Sequence, residues 1–206
     1  MRYDFSGSSL EKAYLIGFRI GDLNVSYNAS SIKVKSNTTH VIQVDLLKAL
    51  FQKYGPIWIS TPASNGNIFH CSIALNKTFS FLIPKPDSIP KWILRSKSHF
   101  LSFLAGYIDA EGTIRVYANR ARLRIGSYDR HILNDIHEWL VSRDIKNSFR
   151  LEDRAAQGKR NADFYRVDIM DKHALLTTLD FIIPHLKHKR RSGDARIALQ
   201  NVLSRI

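Results

Sequence analysis

The hydrophobic positions of this 206-residue chain change period in an order that occurs twice. Ser8, Ser9, Leu10 and Glu11 read as an N-cap with acid in the first turn, and the helix they start runs to about Gly21. Leu23, Val25 and Tyr27 then alternate with Asn24, Ser26 and Asn28, and Ile32 and Val34 alternate with Ser31, Lys33 and Lys35. This is the period-2 pattern of a hairpin with one apolar face and one polar, basic face. Ser36, Asn37, Thr38 and Thr39 read as a capping cluster. It precedes a helix with Val41, Val44, Leu47, Leu50 and Phe51 at helical spacing, stopped by Tyr54, Gly55 and Pro56. Strands are expected near 57–60 and 68–75, around a turn at Ser64-Asn65-Gly66-Asn67, and a short helix over 78–83. Pro84, Pro86 and Pro90 mark a linker.

The same order follows a second apolar helix. Arg115, Tyr117 and Asn119 alternate with Ile114, Val116 and Ala118, and Arg122 and Arg124 alternate with Leu123 and Ile125. Ser127, Tyr128 and Asp129 read as a cap for a helix carrying Ile132, Leu133, Ile136, Trp139 and Leu140. Strands near 148–152 and 164–170 flank a polar loop, a helix ends at Pro184, and a terminal helix is expected from about Asp194. Matched positions lie 89 residues apart at Asp22 and Glu111, 91 at His40 and His131, and 100 at Pro84 and Pro184. The drift falls at hairpin turns, mainly around Gly158, where a duplicated unit tolerates length changes. The expectation is an α+β fold of two tandem αββαββα halves, each with a four-stranded antiparallel sheet. Residues 1–83 form the first half, 84–92 the linker and 93–206 the second half. Strand order is not readable from the pattern.

Two helices interrupt their apolar runs with small residues. One reads Phe103-Leu104-Ala105-Gly106-Tyr107-Ile108-Asp109-Ala110-Glu111-Gly112, and a weaker copy reads Tyr14-Leu15-Ile16-Gly17-Phe18-Arg19-Ile20-Gly21-Asp22-Leu23. Gly inside a helix costs about 1 kcal/mol relative to Ala, which is explained if another backbone passes very close. Gly112 is expected to stop its helix. Glu111 then sits at a helix exit, where the macrodipole disfavours an anion and a divalent cation would compensate it.

These two stretches resemble the LAGLIDADG homing endonucleases. Residues 104–112 match the nine-residue motif closely, whereas 15–23 has Ile20 where the first acid usually stands and Leu23 for the last Gly. The second acid, which the family uses catalytically, is present in both copies as Asp22 and Glu111. The resemblance implies a monomeric, pseudo-symmetric, site-specific double-strand DNA endonuclease. It would cut a long, nearly asymmetric site across a minor groove and leave short 3′ overhangs with 5′-phosphates. It implies Mg²⁺ as cofactor, with Mn²⁺ substituting and Ca²⁺ binding without efficient cleavage. No splicing residues flank the chain, so a free-standing or intron-encoded form is expected rather than an intein. Two other functions are open to the same fold: an intron RNA maturase, with intron RNA as partner, and a DNA-binding regulator that does not cut. Retention of both acids favours the nuclease.

Composition bears on the partner. Lys and Arg outnumber Asp and Glu 31 to 18, a net charge of +13 that favours nucleic acid over a membrane surface. No apolar run approaches the ~20 residues of a membrane span. Residues 1–4 show no signal-peptide pattern, and Cys71 is alone. An intracellular setting is expected, prokaryotic cytoplasm or organelle.

Candidate chemistry falls in three places. If the small-residue helices pack closely, Asp22 and Glu111 meet at their shared base. Two carboxylates that close need cations between them, which suits metal-assisted phosphodiester hydrolysis. Asp109 is read as a capping or orienting residue without a metal role. The polar strand faces carry Asn24, Ser26, Asn28, Lys33 and Lys35 in one half, and Arg115, Tyr117, Asn119, Arg122, Arg124, Arg150 and Arg166 in the other. All twelve are candidate DNA contacts, since Arg and Lys pair with guanine and Asn with adenine in the major groove. The third is the basic run 186–191. Family members carry a Lys near the active site after this segment's Pro, and Lys189 matches it best, as a catalytic stabiliser of phosphate charge. Lys91 is its first-half guess. His40 and His131 recur at matched helix starts, where the family often places a basic residue. Trp58, Trp92 and Trp139 are read as core or edge packing.

Overall fold

The computed structural model describes residues 1–60, 68–157 and 160–205. The turn expected at 64–67 and the loop tip at Gly158 lie outside the described residues. The first half runs α1 (Ser9–Asp22), β1 (Asn24–Asn28), β2 (Ser31–Thr38), α2 (Val41–Phe51), β3 (Ile57–Ser60), β4 (Phe69–Leu75) and a 3₁₀ helix at Lys77–Leu82. A helical turn α3 (Lys91–Leu94) leads into α4 (Lys97–Glu111), β5 (Gly112–Tyr117), β6 (Arg120–Ser127), α5 (Arg130–Val141), β7 (Ser148–Asp153), β8 (Phe164–Ile169), α6 (Lys172–Ile182) and α7 (Lys189–Leu203). Both sheets are antiparallel and four-stranded, in the same order, β1-β2-β4-β3 and β5-β6-β8-β7. The two αββαββα halves are therefore present, and the strand order that periodicity left open is the same in each.

α1 and α4 cross at the centre of the molecule. Residues 13–20 of α1 and 100–109 of α4 are buried all round, because each helix is packed both on its own sheet and on its twin. The crossing rests on two glycines. A Cβ built on Gly17 would be driven into the Phe103 carbonyl, and one on Gly106 into the Tyr14 carbonyl. The reciprocal pattern is what a pseudo-twofold axis between the helices demands. Ser8 Oγ accepts from the Glu11 amide (3.2 Å) and Ser96 Oγ from the His99 amide (3.4 Å), so both helices have side-chain N-caps.

Several local expectations are corrected. α4 ends at Glu111 with Gly112 as its C-cap, as expected, but the glycine has φ −77° and is not left-handed, so the chain passes straight into β5. Ser36 to Thr38 belong to β2, and His40 is the N-cap of α2 without a side-chain cap bond. Asp129 also makes no cap bond to α5; its Oδ2 instead accepts from Ser127 Oγ (3.0 Å) and Tyr107 OH (3.4 Å), and its Oδ1 pairs with Lys85 (3.0 Å). Asn119 lies in the β5–β6 turn rather than on a strand. It and Ala118 have φ 56° and 48°, the positive values that a two-residue hairpin turn requires. The terminal helix starts at Lys189, five residues before the expected Asp194, and buries Ala195, Ala198 and Val202. Trp139 is core, stacked on Phe100 at 3.8 Å, but Trp58 is 57% exposed on the outer face of the first sheet, and Trp92 is partly exposed. Trp58 follows Ile57, which packs against the core, and strand alternation turns it the other way.

Candidate active site and polar sheet faces

The strand pairs place the predicted polar faces on one side of each sheet. Asn24 lies opposite Lys35, Ser26 opposite Lys33 and Asn28 opposite Ser31; Lys35 and Trp58 in turn flank Ser72. In the second half, Arg115 lies opposite Arg122, Thr113 opposite Arg124, Arg124 opposite Asp168, and Arg150 opposite Arg166. Tyr117 is exposed, with the Arg122 guanidinium 5.5 Å from its ring centre.

Two predicted contacts have other engagements. Arg166 is only 12% exposed, bonded through Nε to Asp168 (2.8 Å) and through Nη1 to Glu152, so it is a strut within the face. Asn119 Oδ1 accepts from Asn201 Nδ2 (2.9 Å), which ties the β5–β6 hairpin to α7.

Asp22 and Glu111 end the paired helices, as Gly21 and Ala110 bring those ends together. A Cβ on Gly21 would lie 2.5 Å from Ala110 Cβ and 3.3 Å from Glu111 Oε1. Neither acid forms an ion pair within 4 Å among the described residues. Burial raises the Asp22 carboxyl from its ordinary 3.8 to about 6, against the opposing pull of the Gln43 hydrogen bond and the Arg191 charge. Burial first, then the charges of Asp22 and Asp129, raise Glu111 from 4.5 to about 7, with Lys85 opposing. Each acid thus holds a proton at a pH where an exposed carboxylate has lost it.

The surroundings of the two acids differ. Asp22 faces a cavity of about 220 Å³ lined by Asn37, His40, Gln43, Asp109, His188, Arg190 and Arg191, among others. Gln43 Nε2 donates to Asp22 Oδ2 at 2.7 Å. Asp109 is 2% exposed, and its Oδ2 accepts from Tyr14 OH (2.6 Å) and from the Lys187 and His188 amides (2.8 and 3.0 Å). The orienting role expected of Asp109 is realised: it pins the segment after Pro184 to the helix crossing, and Tyr14 reaches it from the other half. Ile20 at the matched position has no such bonds, so only one half is pinned this way.

The basic residues lining the cavity at Asp22 are Arg190 and Arg191 rather than Lys189. Lys189 is exposed in the first turn of α7 and does not line the cavity, whereas Arg191, two residues on, does. The helix starts at Lys189, so Lys189 and Arg191 project in different directions. Arg191 Nε and Asp109 Oδ1 are both buried without a hydrogen-bond partner among the described residues. Lys187 turns away, its ammonium 4.5 Å from the centre of the Tyr14 ring. His40 lines the Asp22 cavity; His131 lies 3.7 Å from Asp87 instead. Gln43 was missed in the sequence, and within the basic run 186–191 Lys189 was favoured over His188 and Arg191. A glutamine on the buried side of α2 and the arginine-rich end of the basic run were the available signals.

The raised carboxyls carry a pH prediction for the metal-free protein. The unfolded chain releases these protons near pH 4, while the folded chain keeps them to about pH 6–7. The native state binds more protons across that window, so stability falls as pH rises through it, and the effect is absent below both unfolded values. Urea midpoints measured in chelator from pH 4 to pH 7.5 should fall more for the wild type than for the Asp22→Asn/Glu111→Gln double variant. Parallel curves would mean that the two carboxyls titrate normally.

The fold is shared with known proteins. Residues 100–182 match the sequence profile of the LAGLIDADG-like domain. A search of curated protein sequences finds no match. Among solved structures, mesophilic variants of the homing endonuclease I-DmoI superpose with a TM-score of 0.64 at 17% identity, covering 92% of this chain and 98% of theirs. I-DmoI in complex with DNA and Mn superposes at 0.59 and 18% identity, covering 84% and 97%. Full-length DUF199/WhiA from Thermatoga maritima superposes at 0.64 and 16% identity, covering 98% of this chain and 62% of that one. Duplicated topology and superposition agree that this chain has the fold of the homing endonuclease I-DmoI, and its residues 100–182 match the LAGLIDADG-like domain.

Proposed function

We propose that the protein is a site-specific, divalent-metal-dependent DNA endonuclease that hydrolyses one phosphodiester in each strand of a duplex lying along its two polar sheet faces. The observation that carries this reading is the meeting of two half-buried carboxylates at the matched ends of the paired helices, with their carboxyls raised by burial. The donor set fits a hard cation: oxygen ligands from Asp22 and Glu111, with no local protein cation paired to either among the described residues. No group of three or more His, Cys, Asp or Glu side chains suited to a metal occurs among the described residues. Two carboxylates with phosphate oxygens and water is a usual Mg²⁺ environment. Bound there, such an ion supplies Lewis acidity and a more acidic water.

The protein's own groups do the positioning. Gln43 orients the Asp22 carboxylate through its 2.7 Å bond. Arg191, with Nε unpartnered among the described residues and facing the same cavity, is placed to pair with a phosphate oxygen. Asp109 holds the backbone of residues 187 and 188, and so the start of α7, at the crossing. The polar faces, with the +13 net charge behind them, attract and seat the duplex. I-DmoI, whose fold this chain shares, is known in complex with DNA in the presence of Mn and of Ca. The chain acts as a monomer in this reading, its two halves replacing two subunits.

The second reading is a DNA-binding regulator, or a maturase acting on intron RNA, that keeps the fold without cutting. The equal superposition on WhiA favours keeping it, since the fold is not confined to I-DmoI. Incubating the protein and Mg²⁺ with a randomised duplex library, and sequencing the ends produced, separates the readings. The expected result is one enriched site cut in both strands with short 3′ overhangs. Enrichment by binding alone, without cut ends in Mg²⁺ or Mn²⁺, would exclude the nuclease.

A further inference from the structure

The two polar faces are built on different principles. The first carries two lysines, Lys33 and Lys35, among Asn, Ser and Trp58, and none of its strand residues is acidic. The second carries Arg115, Arg120, Arg122, Arg124, Arg150 and Arg166, and beneath them lies Asp168. Its side chain is 1% exposed although it points to the outer face of the sheet, because the arginines cover it. Arg166 Nε donates to Asp168 Oδ2 at 2.8 Å; Arg124 Nε, 3.1 Å from Oδ1, and Arg150 Nη2, 3.3 Å from Oδ2, are ion-paired to it without the alignment of a hydrogen bond. Glu152 holds the far end of Arg166.

An isolated buried aspartate would be destabilising, and this one is ringed by cations that need an anion themselves. Burial pushes its carboxyl up, and the charges of Arg124, Arg150 and Arg122 pull it back. The arginines differ in what remains to them. Arg166 is covered, while Arg124 is 37% and Arg150 53% exposed. Arg124 turns only its Nε side to Asp168, so both Nη groups stay available. Reading guanine takes two parallel donors held at a fixed angle, and a free arginine must give up rotamer freedom to supply them. For Arg124, charge pairing with Asp168 narrows that freedom when the sheet folds, before any ligand arrives.

We propose that Asp168 is a positioning residue for DNA specificity. It fixes Arg124 and Arg150 as pre-aligned base-reading groups, so that the second half of the protein carries the stricter sequence discrimination. The inference rests on the DNA-recognition reading above. Without Asp168 the same arginines become a diffuse positive surface, which holds phosphates and ignores bases.

The test compares wild type with Asp168→Asn in full-length protein, by selecting bound sites from a randomised duplex DNA library and measuring affinities for single-base variants of the wild-type consensus. Because Asp168→Asn leaves Arg124 and Arg150 without their anion and Arg166 with Glu152 alone, Asp168→Asn/Arg166→Gln is run beside it; it removes one charge of each sign and keeps the net charge. Melting curves verify folding of both. The expected result is about tenfold weaker discrimination at base pairs contacted by the second half, with preferences at the first half unchanged. Affinity of Asp168→Asn for unrelated DNA should rise, and its dependence on salt should steepen by about one released counterion. A merely structural role would weaken all sites alike and leave the consensus intact, and that outcome overturns the proposal. If wild type selects no consensus at all, the DNA-recognition reading fails first and this one with it. A consensus that survives unchanged in both folded variants refutes the role of Asp168 alone.

Discussion

Glu111→Gln should abolish double-strand cleavage, lowering the rate by orders of magnitude, while DNA binding survives or tightens. The substitution keeps the shape of the side chain and removes the charge expected to hold the cation, so the loss falls on chemistry and not on folding. Folding should gain slightly, because a buried acid raised to about 7 is replaced by a neutral group. Binding benefits because one negative charge near the phosphates is gone. Asp22→Asn should behave in the same way, even though its motif has lost the first acid and the last glycine. Gln43 Nε2 donates to Asp22 Oδ2, and the amide oxygen introduced by the substitution accepts the same bond, so geometry is preserved there too. Ca²⁺ should support binding without efficient cutting, since its looser coordination positions water less strictly than Mg²⁺ does. The assay is a supercoiled plasmid bearing the selected site, incubated with Mg²⁺ or Ca²⁺ and each protein. An Asp22→Asn protein that linearised plasmid at the wild-type rate would remove the two-acid mechanism.

The second large effect concerns stability. Gly106→Leu, and even Gly106→Ala, should destabilise the protein by about 3 kcal/mol or more, the upper part of the overpacking range. Two effects oppose each other at this position. Ala is better than Gly in a helix interior by about 1 kcal/mol. Against this, the new Cβ meets the Tyr14 carbonyl and lies 3.0 Å from the Phe18 amide nitrogen. Those atoms are backbone of a buried helix and cannot swing aside, so the clash wins and the halves must separate. For a chain of this size the melting temperature should drop by about 6–12 °C. Gly193 provides the control within the same protein. It lies inside α7, and nothing is within 4 Å of the Cβ an alanine would add. Gly193→Ala should therefore be neutral or stabilising by about 1 kcal/mol. Equal melting shifts for the two alanine variants would mean that Gly106 does not face its twin helix.

The duplicated order of elements, the α+β class and the meeting of Asp22 with Glu111 were all legible in the sequence. Their signals are local or repeated: period-2 and period-3.6 patterns, and small residues where a buried helix would otherwise carry large ones. Gly17 and Gly106 imply a close backbone approach, because little else explains glycine twice at matched points of two apolar helices. The alternation also assigned the polar strand residues to one face, and the pairings across both sheets follow it.

What only the tertiary structure decided lies in long-range placement. Asp109 and Tyr14 are 95 positions apart, and nothing local says that one bonds the other or that the pair fixes residues 187 and 188. That anchor sets where α7 begins, and it brings Arg191 and not Lys189 to the cavity at Asp22. A run of five basic residues among six looks alike at every position until a helix start fixes its phase. In the sequence Asp168 is only an acid two residues after Arg166. Only the folded sheet shows it opposite Arg124 on β6 and diagonal to Arg150 on β7, with Arg166 closing over it. Trp58 is the converse case: an aromatic residue suggests core, but its neighbour Ile57 takes the inward position, and the alternation of the strand leaves Trp58 outside. Periodicity states which residues share a face. Which charges meet across that face, and which stay free to meet a ligand, depends on the register between strands distant in sequence, and that is a property of the folded chain alone.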